Sequence, residues 1–407
     1  MVYRLGELFC GAGGLGLGAQ MASFSHDGEV CRIAHAWSSD VDRDACETYK
    51  RNLANGNDAT VVCEDVRQLD FAKLESISSI DGLAFGFPCN DFSVVGERKG
   101  FGGAFGPLYL FGVAALRRFD PIWFVAENVG GLKNSNEGSA FEAVTEDLFR
   151  AGYDVFPHLY KFEKYGVPQA RHRIIIVGLR RDLRLKFRVP SPSPFAEANV
   201  SCRNAIENPP IPSDATNHER TKQSTRVVAR LRHIKPGQNA FNADLPKEHQ
   251  LNVRGARISQ IYRRLDPSKP AYTVTGSGGG GTHVYHWMEP RALTNRERAR
   301  LQTFPDDYAF LGAKESVRRQ IGMAVPPRGA QVIFQALLMT LVACDYPSVQ
   351  PNLRPRLWGE QKVAVCGQGV FEQLRLLERQ PVYGGVAAHD GRRAKRRCLP
   401  KTFSKLY

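Results

Sequence analysis

A large α/β fold, with a mostly parallel sheet covered by helices on both faces, is predicted by three features of the first 185 residues. Short apolar runs alternate with stretches of helical pattern. A glycine-rich turn closes the first run. Polar, helix-opening residues follow several of the others. Strands buried on both faces need helices to cover them, and this alternation supplies them.

In order, "YRLGELFCG" reads as a strand ending in a glycine turn, and "GLGLGAQMA" opens a helix. "IAHAWSSD" is predicted as the second strand and "RDACETYKRN" as the helix after it. "TVVCED", "DGLAFGFP", "PIWFVAENV" and "RHRIIIVGL" supply further strands. From about residue 186 the rhythm stops: "VPSPSPFAEANV" and "ENPPIPSDATNHERTKQSTR" are rich in Pro, Ser and charge. This irregular insert runs to 284, and it closes with "YTVTGSGGGGTHVYHW", whose four glycines read most simply as a hinge. Helix signals return over 285–345. In "LTNRERARLQTFP", Thr294 and Glu297 have capping-box spacing, and "GAQVIFQALLMTLVACDY" is an apolar helix. Residues 346–407 form an extension with the basic tail "GRRAKRRCLPKTFSK".

The 407 residues carry 55 Lys and Arg against 41 Asp and Glu, a formal charge of +14. Such a surplus favours a polyanionic partner, of which nucleic acid is the commonest. Nine cysteines, with no C-x-x-C pair and no zinc-like spacing, argue against a disulfide framework and a structural metal. No apolar run approaches the roughly 20 residues that span a bilayer, and the start lacks a secretory pattern. A soluble, cytoplasmic protein with no membrane contact is expected.

Two stretches carry candidate chemistry. "FCGAGGLGLG" places Gly11, Gly13 and Gly16 in a G-x-G-x-x-G spacing between strand and helix. Glycines there let a ligand approach the backbone at a helix N-terminus. Asp40, ending the next strand, is placed to bind ribose hydroxyls, and Asp65 to accept from an adenine amino group. A dinucleotide or S-adenosylmethionine would each suit this loop, and the glycines do not separate them. In "GFPCNDFS", Cys89 follows a strand on a loop. It is either a small packing residue or a nucleophile.

Taken together, "ELFCGAGGLGLG", "GFPCNDFSVVGERKGF", "AENVGGL", "YGVPQARHRIIIVG", "RALTNRERARLQTFPDDY" and "QIGMAVPP" resemble, in that order, the DNA (cytosine-5)-methyltransferases of prokaryotic restriction–modification type. The resemblance covers about residues 5 to 180 and 266 to 345. It implies a Rossmann-like, S-adenosylmethionine-dependent methyltransferase fold. The implied domains are a catalytic and cofactor-binding domain (1–185), a target-recognition domain (186–284), a return to the catalytic domain (285–345) and the extension (346–407). Cys89 matches the family nucleophile that adds to carbon 6 of cytosine, making carbon 5 reactive toward a methyl donor. Glu127 matches the carboxyl group that holds N3 of the base, and Asn128 fixes the surrounding loop. Arg171 and Arg173 match a pair beside the flipped base, with Arg171 the more structural of the two.

By the same matching, S-adenosylmethionine is held by Phe9, Gly11, Gly13, Gly14, Leu15, Asp40, Asp65, Pro88, Met323 and Ala324. Duplex DNA is contacted by Asn90, Ser93, Arg98, Lys99, Gly279 and Thr282, and residues 93–106 resemble the family's closing loop. No metal is implied. The chain departs from the family at Asn90, where glutamine is usual, and at Met323, where asparagine is typical. The partners implied are double-stranded DNA, extruding its target base, and a cognate endonuclease acting separately from a monomeric enzyme. An RNA cytosine-5 methyltransferase of the same fold and a non-catalytic DNA-binding relative are the alternatives. Glu127, Arg173 and Cys89, all intact, speak against the second.

Overall fold

The computed structural model describes residues 1–87, 108–132, 138–251, 260–276 and 280–357. Its first half alternates strands and helices: β1 (Val2–Leu8), α1 (Gly14–Met21), β2 (Ser23–His26), β3 (Glu29–Asp40), α2 (Arg43–Leu53), β4 (Val61–Cys63), α3 (Phe71–Ile77), β5 (Gly82–Gly86), α4 (Tyr109–Phe119), β6 (Trp123–Val129), α5 (Ser139–Arg150), β7 (Tyr153–Lys161), β8 (Gln169–Ala170) and β9 (His172–Arg180). An eight-stranded sheet takes the order β2-β3-β1-β5-β6-β9-β7, with β4 also paired to β3. Parallel pairing joins β4, β3, β1, β5 and β6. The strands β2, β9 and β7 run antiparallel to their neighbours.

Two of those antiparallel strands were not among the predicted ones. A tight hairpin at Asp27 and Gly28, both at positive φ (49° and 78°), inserts β2, so "IAHAWSSD" belongs to the third strand rather than the second. An Asp-Gly pair favours that turn because its twist matches the flanking strands. β7 carries Pro157 and lies at the edge of the sheet, the place where a residue without an N–H is tolerated.

Alternation along the strands builds two apolar layers. Leu5, Ala84, Trp123, Val125, Ile175 and Val177 share one core with α1 and with α10 (Pro327–Leu341). On the opposite face Phe85 meets Gly112 of α4, and Trp37 meets Phe119. The rest of the chain contributes β10 (Val189–Pro190), α6 (Cys202–Glu207), α7 (Thr225–Arg232), β11 (Ala271–Tyr272), α8 (Asn295–Leu301), α9 (Lys314–Met323) and β12 (Ser348–Val349). The Thr294–Glu297 capping box at α8 forms as its spacing predicts.

Within 186–284 the described backbone is mostly irregular, yet it encloses apolar clusters. Cys202, Ile206, Leu265 and Val274 pack with Trp287 and Leu301, and Leu231, Ile234 and Tyr262 pack with Tyr285. Arg264 replaces regular structure as the organiser. Its buried guanidinium donates to the carbonyls of Leu231, Ile234, His286 and Glu289. After α10, β12 pairs with β10, and Arg356 bonds the β7 backbone at Val155 and the carboxylates of Glu142 and Glu146.

Gly178 of β9 lies opposite Phe124, and a Cβ there would overlap the buried Phe124 ring. Gly178→Ala should therefore lower stability by about 1–3 kcal/mol, the usual cost of overpacking, as read by denaturant unfolding.

Candidate active site

The carboxyl ends of β1, β3, β4, β5 and β6 share one edge of the sheet, where ligands of open α/β sheets bind. After β1 the chain turns through Phe9 and Gly11, at φ 54° and 52°, and Gly13 at 81°. A Cβ built on Gly11 would meet nothing within 4 Å, so the loop presents open space there. The other glycines face protein. Gly14 abuts the Val325 carbonyl, and a Cβ on Gly16 would stand 2.6 Å from the Tyr49 hydroxyl and 2.7 Å from Glu7 Oε2. Tyr308 donates to the Ala12 carbonyl at 2.5 Å and fixes the turn from the far side.

Asp40 at the end of β3 braces this loop. Oδ2 accepts from the Gly11 N–H at 2.7 Å and Oδ1 from the Asp42 N–H at 2.9 Å. Burial raises its pKa, and these backbone bonds oppose the rise. Asp65, beyond β4, is held by Arg67, whose guanidinium reaches it at 2.5 and 2.9 Å and keeps it below the usual carboxylate range. Leu15 turns its side chain into the apolar core, leaving only its backbone for a ligand. Ala324 packs beside Gly14. Met323 is 67% exposed, while its carbonyl faces inward.

A second group gathers at the end of β6. Glu127 pairs in register with Gly86 of β5 and Ile175 of β9. Its Oε1 meets Arg173 Nε at 2.9 Å. Its Oε2 would be 3.3 Å from a Cβ on Gly86, so the missing side chain of that glycine leaves room for the carboxyl group. Burial pushes Glu127 up, and the charges of Arg173 and Arg171 draw it back down. The next residue, Asn128, is buried and donates to the Phe87 carbonyl at 3.2 Å. That bond anchors the end of the strand two residues before Cys89.

Arg171 does not reach into the open. Fully buried, it donates to the carbonyls of Val274 at 3.1 Å and Met323 at 3.3 Å. Gln169 works beside it, accepting from Val274 N–H and donating to Leu301 O. Thr282 lies on the short turn Gly280–Thr282. Cys89, Pro88, Asn90, Ser93, Arg98, Lys99 and Gly279, with the loop 93–106, lie outside the described residues.

A profile of the family described as C-5 cytosine-specific DNA methylase matches residues 3–339. A type II methyltransferase of Brevibacillus brevis, M.BbvI, is 56% identical over 355 residues, 86% of this chain and 94% of its own. M.NgoFVII of Neisseria gonorrhoeae, another type II methyltransferase, is 39% identical over 88% of this chain and 91% of its own. The crystal structure of the S. pombe Dnmt2 methyltransferase superposes with a TM-score of 0.57 at 16% identity, covering 84% of this chain and 99% of that one, which shows the shared fold.

Sequence reasoning passed over Glu7, although it lies beneath the glycine loop. It accepts from Tyr49 at 2.9 Å, and Tyr49 also meets His35 at 3.3 Å. Burial raises Glu7 to about 8, against the bond from Tyr49. The folded protein therefore holds a proton here that the unfolded chain releases near pH 4.5, so this group's stabilising contribution is full below that pH and lost as pH rises through about 8. Glu7→Gln should flatten that fall: relative to the parent, the variant should gain stability between pH 5 and pH 8 when both are unfolded in denaturant.

Proposed function

The chain belongs to the C-5 cytosine-specific DNA methylases and is a DNA (cytosine-5-)-methyltransferase, and on that premise we propose that it methylates carbon 5 of a cytosine flipped out of duplex DNA, as the modification enzyme of a restriction–modification system. The observation that carries the reading is the Glu127–Arg173 pair, 2.9 Å apart, beside the anchored strand end that leads into Cys89. A carboxyl group pushed up by burial and down by arginines is poised to hold or share a proton.

In this mechanism the Cys89 thiolate bonds to carbon 6 of the base. Glu127 gives a hydrogen bond or proton to N3, which absorbs the electron pair displaced from the ring. Carbon 5 then takes up the methyl group, whose bond to the donor sulfur breaks with the electron pair left on that sulfur; solvent water takes the carbon-5 proton, the freed pair re-forms the ring double bond and expels the Cys89 thiolate, and N3 returns any proton to Glu127. Arg173 orients Glu127 and is in reach of the cytosine carbonyl or a neighbouring phosphate. Arg171 positions the frame and touches no substrate.

S-adenosylmethionine supplies the methyl group as a sulfonium electrophile. The open face at Gly11, the α1 N-terminus and Ala324 suit its binding. Asp40 and Asp65 border the same edge, and a ribose or adenine there would share their carboxylates with Gly11, Asp42 and Arg67. No metal enters the scheme. We assign 1–185 and 285–345 to the catalytic domain and 186–284 to target recognition. The apolar clusters and the Arg264 bonds give this irregular segment a core that it shares with residues 285–301. The enzyme is taken as a monomer working apart from any endonuclease. No helix among the described residues is long and apolar enough to cross a membrane.

Bisulfite sequencing of DNA from cells expressing the protein tests activity and reveals the target word together. Methyl transfer to transfer RNA in place of DNA would shift the reading to the RNA alternative. Cys89→Ser should abolish turnover and the covalent complex with a duplex carrying 5-fluorocytosine, while DNA binding persists; normal turnover would remove the nucleophile assignment. Glu127→Gln should lower kcat by about 10²–10⁴-fold, the usual span for a general acid, with the duplex Kd little changed.

A further inference from the structure

Two carboxylates at the end of β3 do different jobs. Asp40 accepts from the Gly11 N–H at 2.7 Å and from the Asp42 N–H at 2.9 Å. Asp42 opens α2, its Oδ1 accepting from the N–H groups of Asp44 at 3.0 Å and Ala45 at 3.2 Å. Its Oδ2 accepts from Arg319 Nη2 at 2.7 Å, a bond that joins positions 277 residues apart. Arg319, Asp42, Asp40 and Gly11 thus form one continuous line of bonds that ends on the open turn after β1.

The helix α9 delivers Arg319 to this place. Gln320 accepts from Thr48 of α2 at 2.7 Å and donates to the Leu311 carbonyl at 2.8 Å. Gly322 lies so close to Thr275 and Gly276 that a Cβ on it would overlap their backbone. At the end of the helix the Met323 carbonyl receives Arg171. With α9 held on these sides, the Arg319 guanidinium meets Asp42 in a fixed position. The charge there matters to Asp40, whose pKa burial raises first of all and the nearby Asp42 carboxylate raises further. A cation on Asp42 offsets that second effect and favours the ionised Asp40, the form that accepts from an N–H or a hydroxyl.

We infer that Arg319 is a positioning residue for S-adenosylmethionine: acting through Asp42, it holds Asp40 and the Gly11 turn in place to receive the cofactor. The inference rests on the cofactor site proposed above. Arg319 itself touches no substrate. Glu127 stands on β6 and takes its arginine from β9, so the effect falls on cofactor binding and leaves the chemical step alone.

The test measures S-adenosylmethionine Kd by calorimetry, KM and kcat for methyl transfer, and duplex Kd, in the parent, Arg319→Gln, Arg319→Lys, Asp42→Asn and the double variant Arg319→Gln with Asp42→Asn. Arg118→Gln, which removes the exposed pair with Glu75 on α4, is the control. Arg319→Gln should raise the cofactor Kd and KM by about two- to fivefold, what an ion pair partly open to water can supply, with kcat and duplex Kd at the parent's level. Arg319→Lys keeps the charge and should recover most of that loss. Asp42→Asn should match Arg319→Gln, because its amide oxygen still caps α2 while its NH₂ group accepts nothing from Arg319. The double variant should bind no more weakly than either single one, as expected when both remove the same bond. Should Arg319→Gln fail to fold, Asp42→Asn decides alone. Cofactor affinity equal to the control's overturns the inference, and so do additive losses in the double variant or a lysine as weak as glutamine. A fall in kcat and duplex binding alongside the cofactor loss also overturns it, since the residue then serves the packing of the whole domain. A parent that binds no S-adenosylmethionine and methylates no DNA sinks the proposed function instead, whereas a parent that does both beside unmoved variants sinks this inference alone.

Discussion

The arrangement depends first on one buried cation. Arg171 stands between β8 and β9, and its guanidinium joins the carbonyl of Val274, at the end of the irregular region, to that of Met323, at the end of α9. Three segments separated by 103 and 152 residues along the chain are thereby held at one point. A charge in such a place is retained only if its donors are used, and removing it would strand the carbonyls instead. Because Arg173 is two residues along the same strand, the bond network that fixes the frame also fixes the partner of Glu127.

The glycine loop after β1 is built by a different kind of constraint, which is lack of room. Gly14, Gly16 and Gly18 are glycines because the backbone of 325–331, the Tyr49 hydroxyl and the Glu7 carboxyl press against them. Within this loop and helix, Gly11 is the glycine that looks onto open space. The G-x-G-x-x-G spacing therefore mixes two requirements. Gly11 faces open space, Gly13 and Gly16 make room for Tyr308 and the buried Glu7–Tyr49 pair, and Gly14 and Gly18, outside that spacing, let α1 lie close to residues 324–331.

Much of the parallel sheet was legible in the sequence, because its strands are short apolar runs and its turns carry Gly and Asp. The Glu127–Arg173 ion pair and the buried Arg171 fall in the two runs, "AENV" and "QARHR", that the sequence marks out. What stayed hidden was long-range. The apolar pattern of β7 is interrupted by a proline that only an edge position excuses. The Asp27-Gly28 hairpin carried a readable turn signal that went unused. The core placement of the Leu15 side chain also depends on distant partners. Glu7 gave no signal, since a lone carboxylate in a strand becomes unusual only when Tyr49 and Gly16 close over it.

The net charge of +14 has a similar lesson. Read as a sum, it suggests a basic surface waiting for a polyanion. Yet Arg171, Arg264 and Arg296 are buried and spend their donors on backbone carbonyls, in stretches where strands and helices are scarce. These arginines act as cross-links for irregular chain, which has orphaned carbonyls to satisfy. They contribute to the formal charge while offering nothing to a phosphate. The charge that matters for DNA is the remainder whose donors the fold has not consumed.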